Sequence, residues 1–238
     1  MRRILLFCSV CLLIFIVGCK RSGQQSTNNS AGTAEVSNGL SGDQTQAKAL
    51  LDKGKQLYRD DQDTDAVAAF EQAVKLDPNL AEAHFRLGLG YEALDKREEA
   101  ESEYKKAVEA YKKYFDSNPD DAEAHYNLGQ TYANLGQYSE AIREYRQATK
   151  LKPDDPDIYF DLGTAHTKLA QYEPAAAAFS KSLEIDPEYY RAEDALAEAK
   201  EGIKRIRAGK KHQTDLLKKQ KEEELKKAGL VPSPSPQD

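Results

Sequence analysis

Leu128, Tyr132 and Leu135 fall three and four residues apart, and after a polar turn at Gly136-Gln137 the residues Ala141, Tyr145 and Ala148 repeat that spacing. A period near 3.6 puts each trio on one face of a helix, and a turn this short between two such faces predicts a helical hairpin. The hairpin recurs along the chain. Gly54, Gly88, Gly129 and Gly163 are followed twelve residues later by Ala66, Ala100, Ala141 and Ala175, four after that by Phe70, Tyr104, Tyr145 and Phe179, and then by Pro78, Pro119, Pro153 and Pro187. Gly and Ala stand where two helices must approach closely, with the aromatic filling the gap between them and the next unit. Pro ends the second helix, because it cannot continue the hydrogen-bond ladder and drives the residue before it out of helical angles. No unit of 34 residues buries enough apolar surface alone, so neighbours must stack on one another.

The framework resembles the tetratricopeptide repeat family, whose pattern is a large residue, Leu-Gly, Tyr, Ala, an aromatic, Ala and then Pro at fixed offsets. The unit from Ala122 to Asp155 matches most fully, with Leu128, Gly129, Tyr132, Gly136, Ala141, Tyr145, Ala148 and Pro153 in register and His125 in place of the large first residue. The fourth unit departs at His166 and Pro174, and the first at Lys53 and Leu57. The resemblance implies an all-α fold, a right-handed superhelical solenoid of about four hairpins plus a C-terminal capping helix. Its units fall at residues 47–80, 81–121, 122–155 and 156–189, followed by a capping helix at 190–207 and a charged helix with a Pro/Ser tail at 208–238.

The period breaks once, since Gly88 to Gly129 and Pro78 to Pro119 each span 41 residues. Seven added residues are almost two helical turns, so the second helix of that unit is expected to run on by about 10 Å without changing its face. The insertion carries Tyr111, Tyr114 and Phe115, which either pack on the following hairpin or form an exposed aromatic patch for a partner or a second copy of the chain.

In the family the concave groove is lined by set positions of each first helix. Carried onto this chain, the fifth position gives an apolar and aromatic ladder of Leu51, Phe85, Tyr126 and Phe160. Lys55 and Arg59 flank it at one end, Leu89 and Glu92 come next, then Gln130 and Asn134, and finally Thr164 and Lys168. The ladder reads either as the family's ordinary composition or as a site where exposed rings hold an extended or helical peptide, with nearby acids favouring a basic partner.

The ends of the chain carry different information. Arg2 and Arg3 precede an apolar run from Ile4 to Val17, and Ile16-Val17-Gly18-Cys19 looks like a bacterial lipobox. Residues 1–18 are thus expected to be a lipoprotein signal peptide and Cys19 the site of lipid attachment. Cleavage there would remove Cys8 and Cys11, so no disulfide is expected. Lys20 in place of Asp favours the periplasmic face of the outer membrane where the cell is Gram-negative. Residues 19–46 lack large apolar side chains and read as a tether spanning roughly 30 Å.

Charge is unevenly placed. Residues 19–199 hold 21 Lys or Arg against 34 Asp or Glu, whereas residues 200–227 hold 11 against 5. The basic stretch is either simply solvated or a contact for headgroups or cell-wall polymer, and the acidic array offers no basic stripe for nucleic acid.

A search for chemistry returns little. Gly88-Leu89-Gly90 meets the spacing of a dinucleotide fingerprint but lies inside a predicted helix. His84 and His125 share one repeat position with no third ligand in view, which points to packing rather than metal. No cofactor and no enzymatic activity are expected. The chain reads as a lipid-anchored scaffold that gathers protein or peptide partners in the bacterial envelope. The alternative is a structural lipoprotein that meets wall polymer or lipid through its basic tail, with the repeats as spacer or homodimer contact.

Overall fold

The computed structural model describes residues 41–230, and the expected signal peptide, Cys19, most of the tether and the Pro/Ser end lie outside the described residues. The described chain is helical throughout, in the order α1 (Gly42–Arg59), α2 (Asp63–Leu76), α3 (Ala81–Ala93), α4 (Arg97–Phe115), α5 (Ala122–Asn134), α6 (Tyr138–Leu151), α7 (Pro156–Lys168), α8 (Tyr172–Ile185) and α9 (Tyr190–Lys227). None of these helices is long and apolar enough to cross a membrane.

Consecutive helices pair as hairpins, and every hairpin turns the same way. In the third, the Gln137 N–H donates to the Tyr132 carbonyl at 2.8 Å and the Gly136 N–H to the Ala133 carbonyl at 2.9 Å. This double closure satisfies carbonyls that the helix end leaves open, and it requires a left-handed residue between the helices. Asp61, Asp95, Gly136 and Ala170 take that role with φ between 54° and 71°. Gly136 adopts it at no steric cost and Asp tolerates it, whereas Ala170 is held there by its turn. At the other end of the first, third and fourth units, Asp77, Lys152 and Asp186 are extended (φ −132°, −133° and −128°), as the prolines after them demand.

Close approach within a hairpin rests on the glycines. A Cβ on Gly54, Gly88, Gly129 or Gly163 would stand 2.4–2.6 Å from the ring of Phe70, Tyr104, Tyr145 or Phe179, so each aromatic lies flat against a backbone stripped of its side chain. These four rings are at most 2% exposed.

Stacking gives the array its curvature. Odd-numbered helices touch one another directly (α1 to α3, α3 to α5, α5 to α7, α7 to α9), while no two even-numbered helices do. The odd helices therefore line the inner, concave face of an all-α solenoid.

Two features depart from regularity. α4 has 19 residues against 14 in α2, α6 and α8, so five of the seven inserted residues lengthen the helix and two lengthen the turn that starts α5. The extension is thus about 7.5 Å rather than 10 Å, because the chain needs those two residues to reverse. At the C-terminus the expected capping helix and charged helix are one continuous α9 of 38 residues. Its first part seals the array, with Ala192 and Ala199 fully buried and Gly202 against the Tyr172 ring. Beyond Arg207 it is solvent-exposed on nearly all sides, including Leu216 and Leu217.

Candidate functional site

Three successive units build a cavity of about 420 Å³ on the inner face. α3 contributes Phe85, Arg86 and Leu89, α5 contributes Gln130 and Asn134, and α7 contributes Asp161, Thr164 and Lys168, over a floor that includes Tyr145. Residues one helical turn apart on odd helices face the same way, which is why positions 85 and 89, 130 and 134, and 164 and 168 arrive as pairs.

The polar centre of the cavity crosses between units. Tyr126 donates its hydroxyl to Asp161 Oδ2 at 2.8 Å, and the Gln130 amide donates both to that hydroxyl (3.0 Å) and to Asp161 (3.2 Å). Burial raises the Asp161 carboxyl above the ordinary aspartate value, against the lowering effect of those two hydrogen bonds. Burial and the adjacent Asp161 likewise push the Tyr126 hydroxyl up, so it stays a donor. Arg86 sits 5.2 Å above the Phe85 ring and reaches Glu82 at 3.3 Å, which leaves Lys168 as the exposed cation of the rim.

The raised carboxyl has a measurable sign. Folded chains hold a proton on Asp161 at a pH where unfolded chains have released it, so stability falls as pH rises from the ordinary aspartate value through the raised one. Asp161→Asn removes that titration. Its stability relative to the native chain should therefore improve between about pH 4 and neutrality, read as urea midpoints at the two conditions. A difference independent of pH would show that the carboxyl is not raised.

Six of the residues assigned to the groove by register meet in this cavity: Phe85, Leu89, Gln130, Asn134, Thr164 and Lys168. Others lie elsewhere. Lys55 bridges α1 to α3 through Glu82 at 2.7 Å, Arg59 bonds its neighbour Gln56, and Glu92 accepts from the Tyr104 hydroxyl at 2.7 Å.

The ladder itself is corrected by the structure. Leu51, Phe85 and Phe160 are buried and only Tyr126 is half-buried, because each ring of the ladder packs on the aromatic of its own second helix: Phe85 on Tyr104, Tyr126 on Tyr145 and Phe160 on Phe179, at 5.7–6.3 Å between centroids. Phe160 is further enclosed by Tyr189 and by the Arg191 guanidinium 4.5 Å from its centroid. The ladder is thus the groove's floor and not a row of exposed rings.

Of the two expectations for the insertion, packing is the one that holds for Tyr111 and Phe115, and no continuous exposed aromatic patch forms. Tyr111 is 3% exposed, Phe115 stacks on the His125 ring at 4.2 Å, and Tyr114, partly exposed, donates to Asp121, the N-cap of α5.

The two histidines have a structural role beyond packing. His84 spans Glu103 (2.7 Å) and the Pro78 carbonyl (3.1 Å), and His125 spans Glu144 (2.9 Å) and the Pro119 carbonyl (3.0 Å). Each clamps both helices of a hairpin to the turn that precedes it. Burial alone would raise Glu103, but hydrogen bonds from His84 and Lys106 hold it below the usual carboxylate range. No cluster of three or more metal-ligating side chains occurs among the described residues.

Asp161 escaped the sequence search because its partners stand 31 and 35 residues away in the neighbouring unit. The available signal was its register: it follows the ladder residue Phe160 directly, and Gln130 and Tyr126 lie one unit earlier at adjoining positions.

Comparison with known proteins bears on the repeat units. Family models described as "TPR repeat" match residues 54–95 and 132–169, and models described as "Tetratricopeptide repeat" match residues 103–143, 81–120 and 156–189, so that together they run unbroken from 54 to 189. Among solved structures, the crystal structure of MamA protein is 26% identical, covers 79% of this chain and 98% of its own, and superposes with a TM-score of 0.50. MamA MSR-1 C2 superposes equally well (TM-score 0.50) at 22% identity, over 66% of this chain and 86% of its own, a likeness of fold alone. No curated protein matches the sequence.

Proposed function

The chain belongs to the tetratricopeptide repeat family, and from that premise we propose that it is a lipid-anchored scaffold that gathers proteins in a bacterial cell envelope. The observation that carries this reading is the inner-face cavity, to which three successive units contribute side chains. Its apolar floor of Phe85 and Leu89, its amides at Gln130 and Asn134 and its exposed Lys168 suit a peptide whose backbone and side chains need both burial and hydrogen bonds. Anchoring rests on the sequence: the two N-terminal arginines, the apolar run and the lipobox ending at Cys19. The lipid would hold the array at the membrane, on the periplasmic face of the outer membrane in a Gram-negative cell, where partners are confined to two dimensions and meet it more often.

A second reading draws on residues 200–227 of α9, whose 11 Lys or Arg against 5 acids suit anionic lipid or wall polymer, 7 of those cations and 4 of those acids lying in the exposed part beyond Arg207.

One experiment addresses both. The native protein is crosslinked in cells, extracted in detergent and weighed by mass spectrometry together with whatever co-purifies. A mass showing lipid on residue 19, and defined proteins captured by the native chain but lost in an Asn134→Ala/Lys168→Glu variant, are the expected results. Capture unchanged by that variant would refute the groove. Capture of polymer alone, abolished by ending the chain after Arg207, would favour the second reading.

A further inference from the structure

Tyr104 and Tyr145 hold the same place in the second and third units, sixteen residues after Gly88 and Gly129, whereas the first and fourth units carry Phe70 and Phe179 there. All four rings lie against a glycine backbone. Only the two tyrosines add a hydroxyl, which needs a hydrogen-bond partner.

The second unit supplies that partner from within. Tyr104 donates to Glu92 at 2.7 Å, and the Asn134 amide of the third unit stands beside the same hydroxyl. One unit on, the register is kept and both neighbours change. Ala133 stands four residues after Gly129, as Glu92 stands four after Gly88, and Lys168 stands five after Gly163, as Asn134 stands five after Gly129.

Tyr145 is therefore left without its counterpart's acceptor. It is 2% exposed, it lines the inner-face cavity together with Ala133 and Lys168, and its hydroxyl has no hydrogen-bond partner among the described residues. The one fully enclosed, unpartnered side-chain oxygen among the described residues belongs to Tyr111, so the Tyr145 hydroxyl opens onto the cavity. Burial and the neighbouring Asp161 push that hydroxyl far above its usual value, which makes it a donor at neutral pH.

Charge points the same way. The acids of this stretch of the groove are already engaged within the chain: Glu82 by Lys55 and Arg86, Glu92 by Tyr104, and Asp161 by Tyr126 and Gln130. Lys168 is exposed and pairs with no acid among the described residues. A donor and a cation thus border a space whose equivalent in the preceding unit holds a glutamate carboxylate.

We propose that a glutamate side chain of a partner protein enters this cavity and takes the position that Glu92 holds one unit earlier. One carboxylate oxygen accepts from Tyr145 and the other pairs with Lys168 at the rim, while the methylenes lie over Ala133. The proposal rests on the reading of the inner face as a protein-binding groove and adds the chemistry of what enters it. It reverses the basic partner that register alone suggested.

The test uses the full-length chain in detergent micelles and a fluorescein-labelled nonapeptide of alanine and serine with one central glutamate, followed by anisotropy. The control peptide carries glutamine there, which keeps the shape and removes the charge. The glutamate peptide should bind about tenfold more tightly, and Lys168→Met should reduce that preference to about twofold or less. Tyr145→Phe should weaken the glutamate peptide about three- to tenfold while leaving the thermal midpoint unchanged or higher, since no group of the chain loses a partner. Ala133→Glu supplies from the chain the carboxylate that the partner would bring. It should raise the thermal midpoint and weaken the glutamate peptide about tenfold or more. Asp161→Asn removes the one like charge in the cavity and should tighten the glutamate peptide about twofold.

Equal binding of the two peptides, or binding of neither, would overturn the proposal. So would a preference that survives Lys168→Met, indifference to Tyr145→Phe, or a lower midpoint with Ala133→Glu. Weaker binding with Asp161→Asn would mean that a donor enters against Asp161, and the proposal would fall. Sedimentation of the same samples covers the remaining case: a dimer that Ala133→Glu dissociates would make a second copy the source of the glutamate, against a separate partner. If crosslinked capture depends on Asn134 and Lys168 yet glutamate shows no advantage, this proposal alone is lost and the scaffold reading stands.

Discussion

Replacing Phe85 with alanine should cost about 3–5 kcal/mol of folding free energy, the range expected for deleting a fully buried aromatic ring. Phe85 is 1% exposed, packs 6.3 Å from the Tyr104 ring and belongs to the largest apolar cluster, which extends from α3 through α8. An emptied site there is bounded by Gly88 and Tyr104, already in tight contact, so little can collapse into it. Urea denaturation followed by circular dichroism would read the change. Asn134→Ala, on the same inner face but exposed, should move the midpoint by no more than about 0.5 kcal/mol. A Phe85 variant as stable as the native chain would mean that the ring is not enclosed. The contrast has a practical side: loss of partner binding after changing ladder residues reports unfolding, and only exposed groove residues report recognition.

Ending the chain before Tyr190 should be similarly damaging, whereas ending it after Arg207 should be nearly silent. The first cut removes Ala192 and Ala199, both fully buried, together with Leu196 and Gly202, and so strips the cover from Phe160, Phe179 and Tyr172. Each large apolar side chain returned to water costs about 1.5–3 kcal/mol, and in an array stabilised by nearest-neighbour contacts the loss falls first on α7 and α8. Hydrogen exchange should show the fourth hairpin opening while the second stays protected, with aggregation through the bared end. The second cut removes only exposed residues, so a change beyond about 0.5 kcal/mol would mean that the distal half of α9 makes contacts the fold does not show.

How much was legible in the sequence differs from feature to feature. Gly54, Gly88, Gly129 and Gly163 pointed to close helix contacts because only a missing side chain admits the rings of Phe70, Tyr104, Tyr145 and Phe179. That pairing is local, sixteen residues apart, and repeats. The left-handed turn was signalled by Gly136 but not by Asp61, Asp95 or Ala170, since the hydrogen bonds of the turn impose that conformation on whatever residue occupies it. Register also placed Phe85, Gln130, Asn134 and Lys168 on one face. Register does not report depth: whether a fifth-position ring faces solvent or the aromatic beneath it depends on how far apart the two helices sit, and the glycines bring them close. Asp161 was harder still, because what distinguishes it is company from the neighbouring unit.

α9 stays helical long after it has left the array. Its 38 residues extend about 57 Å, and some 25 of them lie beyond the contact of Gly202 with Tyr172. A straight rod held at one end converts angle into distance: a tilt of about 5° at that contact displaces the tip by roughly 3 Å. A rearrangement of the fourth hairpin too small to disturb its own packing would therefore be transmitted, enlarged, to whatever touches the end of the helix. The terminal helix is geometrically a lever whose fulcrum is a glycine.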